Sequence, residues 1–196
     1  MKPGVVRLLS KYGSLGPLVW LATVVTTAAV SPGFPSPSNG LLPEGDAAFL
    51  FNTGMLMAGS LSMLLSAGLY EFSEGELVGV AGAVSLLSYG FATCVSGFML
   101  VDLGEVQVVA QYLVQISALA STALTSLFLW GRGWRGFPVA MVCAAALGLA
   151  MGAVQGVGPV EPNLPFQASF NLWQAALGYR LATTPLEDLA PAEPPH

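Results

Sequence analysis

Uncharged amide side chains interrupt four of the long apolar stretches of this sequence, and amides can hold a ligand or a neighbouring helix by hydrogen bonds. Gln111 and Gln115 are four residues apart, and so are Gln167 and Asn171, which places each pair on one face of a helix. An amide that faces lipid leaves its donor and acceptor unpaired, so we expect these faces to turn inward. The candidate residues of a polar pocket are Asn52, Gln111, Gln115, Gln155, Gln167 and Asn171.

The sequence leaves two interpretations of these amides open. In the first, they pair with one another and hold the helices together in lipid. In the second, they line a polar pocket that opens to the outer half of the bilayer and binds a lipid headgroup, a quinone or a small polar solute. All of them fall in the outer half of the predicted helices, which is the best argument for a pocket.

Acidic residues gather in the loops at the same end of the predicted helices, and these loops contain no Lys or Arg. One interpretation is that acids are tolerated there, because the rule on loop charge concerns only Lys and Arg. The other is a mouth that attracts or binds cations. The residues of this outer acidic patch are Glu44, Asp46, Asp102, Glu105 and Glu161.

Several kinds of active site are excluded by what the apolar stretches lack. The only histidine, His196, is the last residue, which excludes haem ligation through histidine, a histidine metal site and a Ser-His-Asp triad. No Asp, Glu or Lys lies in the middle of an apolar stretch, so a proton relay lacks its usual residues. We predict no catalytic residues, no metal, no cofactor and no nucleic-acid partner.

The composition is that of a membrane protein. Of the 196 residues, 54% are hydrophobic and only 9% are charged, whereas a soluble domain carries about 25% charged residues. The apolar runs are long and do not alternate, so helices are the remaining way to satisfy the backbone in hydrocarbon. The sequence therefore predicts an all-α fold: a bundle of six transmembrane helices in the cell membrane, with membrane lipid as a partner.

The transmembrane domain is predicted to span residues 15–182, between a cytoplasmic lead (1–14) and a disordered, Pro-rich acidic tail (183–196). The first helix could be retained or cleaved as a secretory signal, and we expect it to be retained. The loop Ser31–Ala48 is either a passive spacer or a lid. The predicted crossings are Leu15–Val30, Phe49–Tyr70, Leu77–Val101, Gln107–Trp130, Phe137–Gly158 and Pro165–Ala182.

Basic residues predict the orientation of this bundle. All of them fall on one side of the six-helix arrangement, and the positive-inside rule then places both termini in the cytoplasm. Random placement would rarely sort every one of them to the same side. The residues are Lys2, Arg7, Lys11, Arg132, Arg135 and Arg180.

Small residues indicate where helices pack closely. The fifth predicted helix carries small residues at every fourth position, and Gly59 lies on a similar stripe in the second. This spacing lets another backbone approach, either within the chain or in a second subunit or a partner membrane protein. The stripe of the fifth helix is Ala144, Gly148, Gly152 and Gly156.

The order of these features resembles a known family. A short first helix is followed by a Pro/Ser-rich outer loop, and the second helix opens with Phe51, Asn52 and Gly54 and carries Gly59 five residues later. In these features the chain resembles the six-helix membrane proteins grouped as domain of unknown function 998. The resemblance covers about Leu15 to Ala182. The resemblance implies the six-helix architecture and no particular activity.

Two functions are expected from the sequence. The first is a non-enzymatic membrane protein, either an accessory or assembly subunit or a lipid-binding module. The alternative is a small transporter or channel that passes a neutral or cationic solute through the polar pocket. An enzyme that acts on lipid through an outer carboxylate is the least favoured, because no catalytic constellation is present in the sequence.

Overall fold

The chain is mainly helical in the part that the computed structural model describes, which comprises residues 3–31, 46–98 and 104–185. These residues contain no β-strand, so the predicted all-α fold is confirmed. Most of the predicted lid or spacer (32–45) and of the predicted tail (186–196) lies outside them. The helices are α1 (Pro3–Gly13), α2 (Leu15–Val30), α3 (Asp46–Ser73), α4 (Leu77–Phe98), α5 (Gly104–Gly131), α6 (Gly136–Val154) and α7 (Leu164–Thr183).

Five helical segments of the described chain are long and apolar enough to cross a membrane, judged by length and composition. The sixth predicted crossing, α7, has 20 residues, which gives it the ~30 Å length of a hydrocarbon core. It is not among the five because its amides lower its hydropathy, and those amides are buried against other helices. The five segments are Pro3–Val30, Asp46–Ser73, Leu77–Phe98, Val109–Gly131 and Gly136–Val154.

The first helix begins earlier than the sequence analysis places it. Residues 3–13 of the predicted polar lead form α1, which continues almost directly into α2. Val6, Ser10 and Gly13 follow each other at steps of three and four, and all three are buried. This face packs against α3 and α7, while Lys11 stays exposed. The lead is thus an amphipathic extension of the first crossing.

The helices are arranged in a closed ring in chain order. Each of α3 to α6 packs against the helix before it and the helix after it, and α7 returns to pack against α1 and α2. Short turns connect α3 to α4 and α5 to α6, which makes these neighbours antiparallel. The first crossing, formed by α1 and α2, is therefore part of the ring and contacts both α3 and α7.

Glycines bring α3 into backbone contact with the helices on either side. A Cβ at Gly16 of α2 would lie 2.8 Å from the Ala58 carbonyl oxygen, and one at Gly97 of α4 would lie 2.7 Å from the Asn52 carbonyl oxygen. A Cβ at Gly59 would collide with the backbone of α4 at Gly90. Only glycine fits at such distances, so these positions set the separation of the helices.

The two ends of the described chain meet at one end of the bundle, which we call the basic end. The Arg7 guanidinium donates to the carbonyl oxygen of Thr184 at 2.7 Å, directly after α7. At the same end, Arg132 pairs with Glu74 at 3.6 Å and with Glu76 at 3.5 Å, which joins the two short turns. That this end faces the cytoplasm stays a prediction.

Substitution of Gly59 should test the backbone contact between α3 and α4. Gly59→Ala puts a methyl group against the Gly90 carbonyl and the Cys94 thiol, so we expect it to lower the free energy of unfolding by about 1–3 kcal/mol. Titration of the purified protein from mild detergent into SDS measures this. Gly131→Ala, with no atom within 4 Å of the new Cβ, is the control and should be close to neutral. Equal effects of the two changes would contradict the contact.

Candidate polar site in the bundle core

A hydrogen-bonded pair of side chains crosses the interior of the ring between α4 and α7. The Tyr89 hydroxyl accepts from Asn171 Nδ2 at 2.9 Å and lies 3.2 Å from Asn171 Oδ1. Asn171 Nδ2 also donates to the Gln167 carbonyl oxygen one helical turn earlier, at 2.8 Å. Tyr89 is 1% exposed and Asn171 0%. Because α4 and α7 are not neighbours in the ring, this pair ties opposite walls together.

Aromatic packing and a helix cap hold these side chains in place. The Tyr89 ring meets the Phe170 ring edge to face, with centroids 4.8 Å apart. The Asn163 side chain accepts from the Phe166 backbone N–H at 3.0 Å and so caps the start of α7, where Pro165 is a favourable early residue. The start of α7 is thereby fixed, and with it the rotation that points Asn171 into the core.

Gln174 is the residue of this region with the most unused hydrogen-bonding capacity. It is 0% exposed and faces the Tyr89 hydroxyl, together with Thr93 and Asn171. Gln174 lies close enough to the Tyr89 hydroxyl to interact with it, but neither Gln174 Oε1 nor Gln174 Nε2 has a partner with good hydrogen-bond geometry. A buried polar group left without a partner costs about 1–3 kcal/mol. The core thus holds a buried amide whose hydrogen bonds are incomplete.

The predicted pocket residues differ in their burial and in their hydrogen-bond partners. Asn52, Gln115, Gln167 and Asn171 are buried, and Gln111 is half-buried. Gln115 Nε2 donates to the Pro159 carbonyl oxygen at 3.2 Å, so this amide ties α5 to the segment between α6 and α7. Asn171 pairs with Tyr89 as described. These contacts correspond to the interhelical pairing that was one of the two interpretations of the amides.

Gln155 does not belong with the other amides. It is exposed and forms the C-cap of α6, so the prediction that it lines an inward pocket is wrong. Gly156 follows with φ +79°, and the N–H of Val157 bonds to the Gly152 carbonyl oxygen at 3.0 Å. This is the glycine termination that ends many helices. It stops α6 at Val154, whereas the sequence analysis extends the helix to Gly158.

The small-residue stripe of α6 packs within the chain. A Cβ at Gly148 would lie 2.7 Å from the Phe166 Cα, and one at Gly152 would collide with the Asn163 side chain. Ala144 is half-buried, and Gly156 terminates the helix rather than packing. The stripe therefore seats α7 against α6, and a partner subunit at α6 would have to use another face of the helix.

The outer acidic patch is described only in part. Glu44 and Asp102 lie outside the described residues, as does the side chain of Glu105. Asp46 is exposed in the first turn of α3, where a carboxylate favours the positive end of the helix dipole. Glu161 is exposed, and its carboxylate accepts from the Gly158 N–H at 2.9 Å. The local structure therefore accounts for both described acids: Asp46 lies at the start of α3, and Glu161 accepts from the Gly158 N–H.

A cation stacked on aromatic rings at the basic end was not predicted from the sequence. The Arg180 guanidinium lies 4.3 Å from the centroid of the Trp134 ring and 5.5 Å from that of Phe137. Arg180 is exposed, and no carboxylate of the described chain pairs with it. The signal in the sequence is the aromatic and basic composition of the α5–α6 turn and of the end of α7.

Replacing Tyr89 should measure how much the pair contributes. Tyr89→Phe keeps the ring on Phe170 but leaves Asn171 buried with one partner fewer, so we expect a loss of about 1–3 kcal/mol in the free energy of unfolding. SDS titration measures it. Tyr179→Phe removes the same hydroxyl from a residue that is 69% exposed and should change stability by less than about 0.5 kcal/mol. A neutral Tyr89→Phe would refute the pair.

Comparison with known proteins gives this site no relative. No family model, no curated protein and no solved structure matches the chain. The resemblance to domain of unknown function 998, which rests on Phe51, Asn52, Gly54 and Gly59, therefore stays a prediction. Among the described residues, no group of three or more His, Cys, Asp or Glu could hold a metal ion. The structure thus supports a helical-bundle membrane protein, and its function is a matter for proposal.

Proposed function

We propose that the protein is a non-enzymatic membrane protein that binds anionic lipid at its basic end, as a lipid-binding module or an accessory subunit of the membrane. The observation that carries the proposal is Arg180, an exposed guanidinium stacked on Trp134 with no carboxylate partner in the described chain.

The stacking orients Arg180 for a phosphate. A guanidinium is planar and offers parallel N–H donors that match phosphate oxygens, and stacking on an aromatic ring leaves its edge free. Trp134 and Phe137, which hold it, are close in sequence to the exposed Trp130, and the exposed Tyr179 precedes Arg180. Aromatic residues of this kind mark the level of the headgroups. In this proposal the stacked Arg180 lies at the depth of the lipid phosphates.

Arg132 lies at the same end but, unlike Arg180, is paired with carboxylates. Its charge is balanced by Glu74 and Glu76, and its Nη2 lies 3.5 Å from the carbonyl oxygens of Phe72 and Ser73. It also sits over the Phe72 and Phe128 rings. The charge of Arg132 is therefore neutralised by contacts within the chain. Arg180 is exposed, as are Lys11 and Arg135 at the same end, and these three residues present positive charge to the surroundings.

The lipid proposal is tested by lipid binding to matched arginine variants. Native mass spectrometry of the detergent-purified protein, titrated with phosphatidylglycerol or phosphatidylcholine, gives the selectivity for anionic lipid. A basic residue near the membrane surface contributes about 1 kcal/mol to binding anionic lipid, so Arg180→Gln should weaken phosphatidylglycerol binding about fivefold. Higher ionic strength should weaken it further in the wild type.

Arg132→Gln is the matched control, because it removes the same charge from the same end but from a group already paired with two carboxylates. It should leave the lipid selectivity unchanged in the fraction that stays folded, which circular dichroism identifies. Equal losses in the two variants, or no preference for the anionic lipid in the wild type, would overturn the proposal.

The alternative function, a small transporter or channel for a neutral or cationic solute, is favoured by a different observation. Gln115 is fully buried, and its Oε1 has no partner within the chain. Such a group could serve a passing solute between α5 and the α6–α7 segment. Solute flux into proteoliposomes should then fall at least tenfold in Asn171→Leu and in Gln111→Leu relative to the wild type. Flux at the level of empty liposomes, or unchanged flux in both variants, would exclude it.

A further inference from the structure

We infer that the membrane-facing surface of the bundle has a step at the end opposite the basic end, which we call the far end. Beside α5 the hydrocarbon reaches further toward the far end than it does beside α6. Phospholipid headgroups with their water descend there to the α6–α7 segment, which comprises residues 155–163. The inference concerns the far end alone, so it goes beyond the lipid binding proposed for the basic end and does not depend on it.

A hydrogen bond fixes the height of the α6–α7 segment on α5. Gln115 Nε2 donates to the Pro159 carbonyl oxygen at 3.2 Å, so the segment lies level with Gln115. From Gln115, α5 continues to its first residue, Gly104, which lies about 16 Å further along the helix axis at ~1.5 Å per residue. The α6–α7 segment therefore stops well short of the far end of α5.

A contact nearer the basic end gives a similar difference in length. Ser126 Oγ donates to Met141 Sδ at 3.2 Å and marks a common height of α5 and α6. From there α6 extends about 20 Å to its last residue, Val154, whereas α5 extends about 33 Å to Gly104. The helix α6 thus ends about 13 Å before its neighbour does.

The extra length of α5 has a lipid-facing side that stays apolar. Ile116, Leu113 and Val109 are 48%, 50% and 57% exposed. They continue the exposed side of the helix that begins at Trp130 near the basic end. From Trp130 to Val109 is about 32 Å along α5, which matches the ~30 Å thickness of a hydrocarbon core. Lipid chains therefore cover α5 up to the height of Val109.

The α6–α7 segment, in contrast, is polar and irregular. Gln155 and Glu161 are exposed, and the Glu161 carboxylate accepts from the Gly158 N–H at 2.9 Å. Irregular backbone does not face lipid within the hydrocarbon, and a carboxylate there is costly. The segment therefore needs water or headgroups, although it lies about 9 Å nearer the basic end than Val109 does. Both requirements are met if the bilayer becomes thinner from α5 to α6, as bilayers do beside a short crossing.

Cysteine accessibility in lipid nanodiscs tests the step. The variants are Val160→Cys in the α6–α7 segment, Ile116→Cys, which is equally exposed at nearly the same height, and Val109→Cys. The background is Cys143→Ser, because Cys143 is exposed and Cys94 is buried. A water-soluble, charged maleimide is added to the protein in phosphatidylcholine nanodiscs, which leave both membrane faces open to the reagent. Each rate is divided by that of the same variant dissolved in SDS.

We expect Val160→Cys to react at least about tenfold faster than Ile116→Cys and Val109→Cys, because a thiol in hydrocarbon meets neither the reagent nor the water that lets it ionise. Circular dichroism checks folding, and Gln155→Cys or Leu113→Cys replaces a variant of the same element that does not fold. A flat bilayer surface at the height of Val109 would protect all the cysteines. A flat surface at the height of the α6–α7 segment would make Val109→Cys react as fast as Val160→Cys. Either result would overturn the inference.

Discussion

Backbone contact between α3 and its two neighbours is the constraint on which the rest of the bundle depends. The hydrophobic effect does not drive helices together within lipid, so close van der Waals contact has to supply the attraction. Gly16 and Gly97 supply it by admitting the Ala58 and Asn52 carbonyls of α3 to within 3 Å of where a side chain would begin. With α4 held this close to α3, Tyr89 reaches across the interior to Asn171 on α7.

The polar core contains the interhelical pairing that is one of the two interpretations of the amides. Asn171 and Gln115 form hydrogen bonds with other parts of the chain and so hold helices together. Gln174 lies one turn along the same helix as Asn171, and its buried side chain faces the same Tyr89 hydroxyl. This arrangement accounts for the modest hydropathy of that helix, since its amides are directed into the bundle rather than toward lipid.

The crossings could be predicted closely because long apolar runs between short charged turns leave few alternatives. Leu77 is the first residue of α4 in both the prediction and the structure, and the end of α6 differs because Gly156, rather than Pro159, terminates the helix. α1 was missed because its charged residues mask the buried side formed by Val6 and Ser10. The Tyr89–Asn171 pair could not be predicted, because it depends on which distant helices face each other across the ring.

The contact that closes the ring has a consequence for synthesis in the cell. Arg7 and Thr184 are 177 residues apart, and a ribosome adds about 5–20 residues per second. The nascent first helix therefore waits roughly 10–35 s in the membrane before its last partner emerges. During that interval the Ser10 side of α1 can pack against α3 at Gly68, but the part that Gly178 of α7 finally covers has only lipid or the insertion machinery against it.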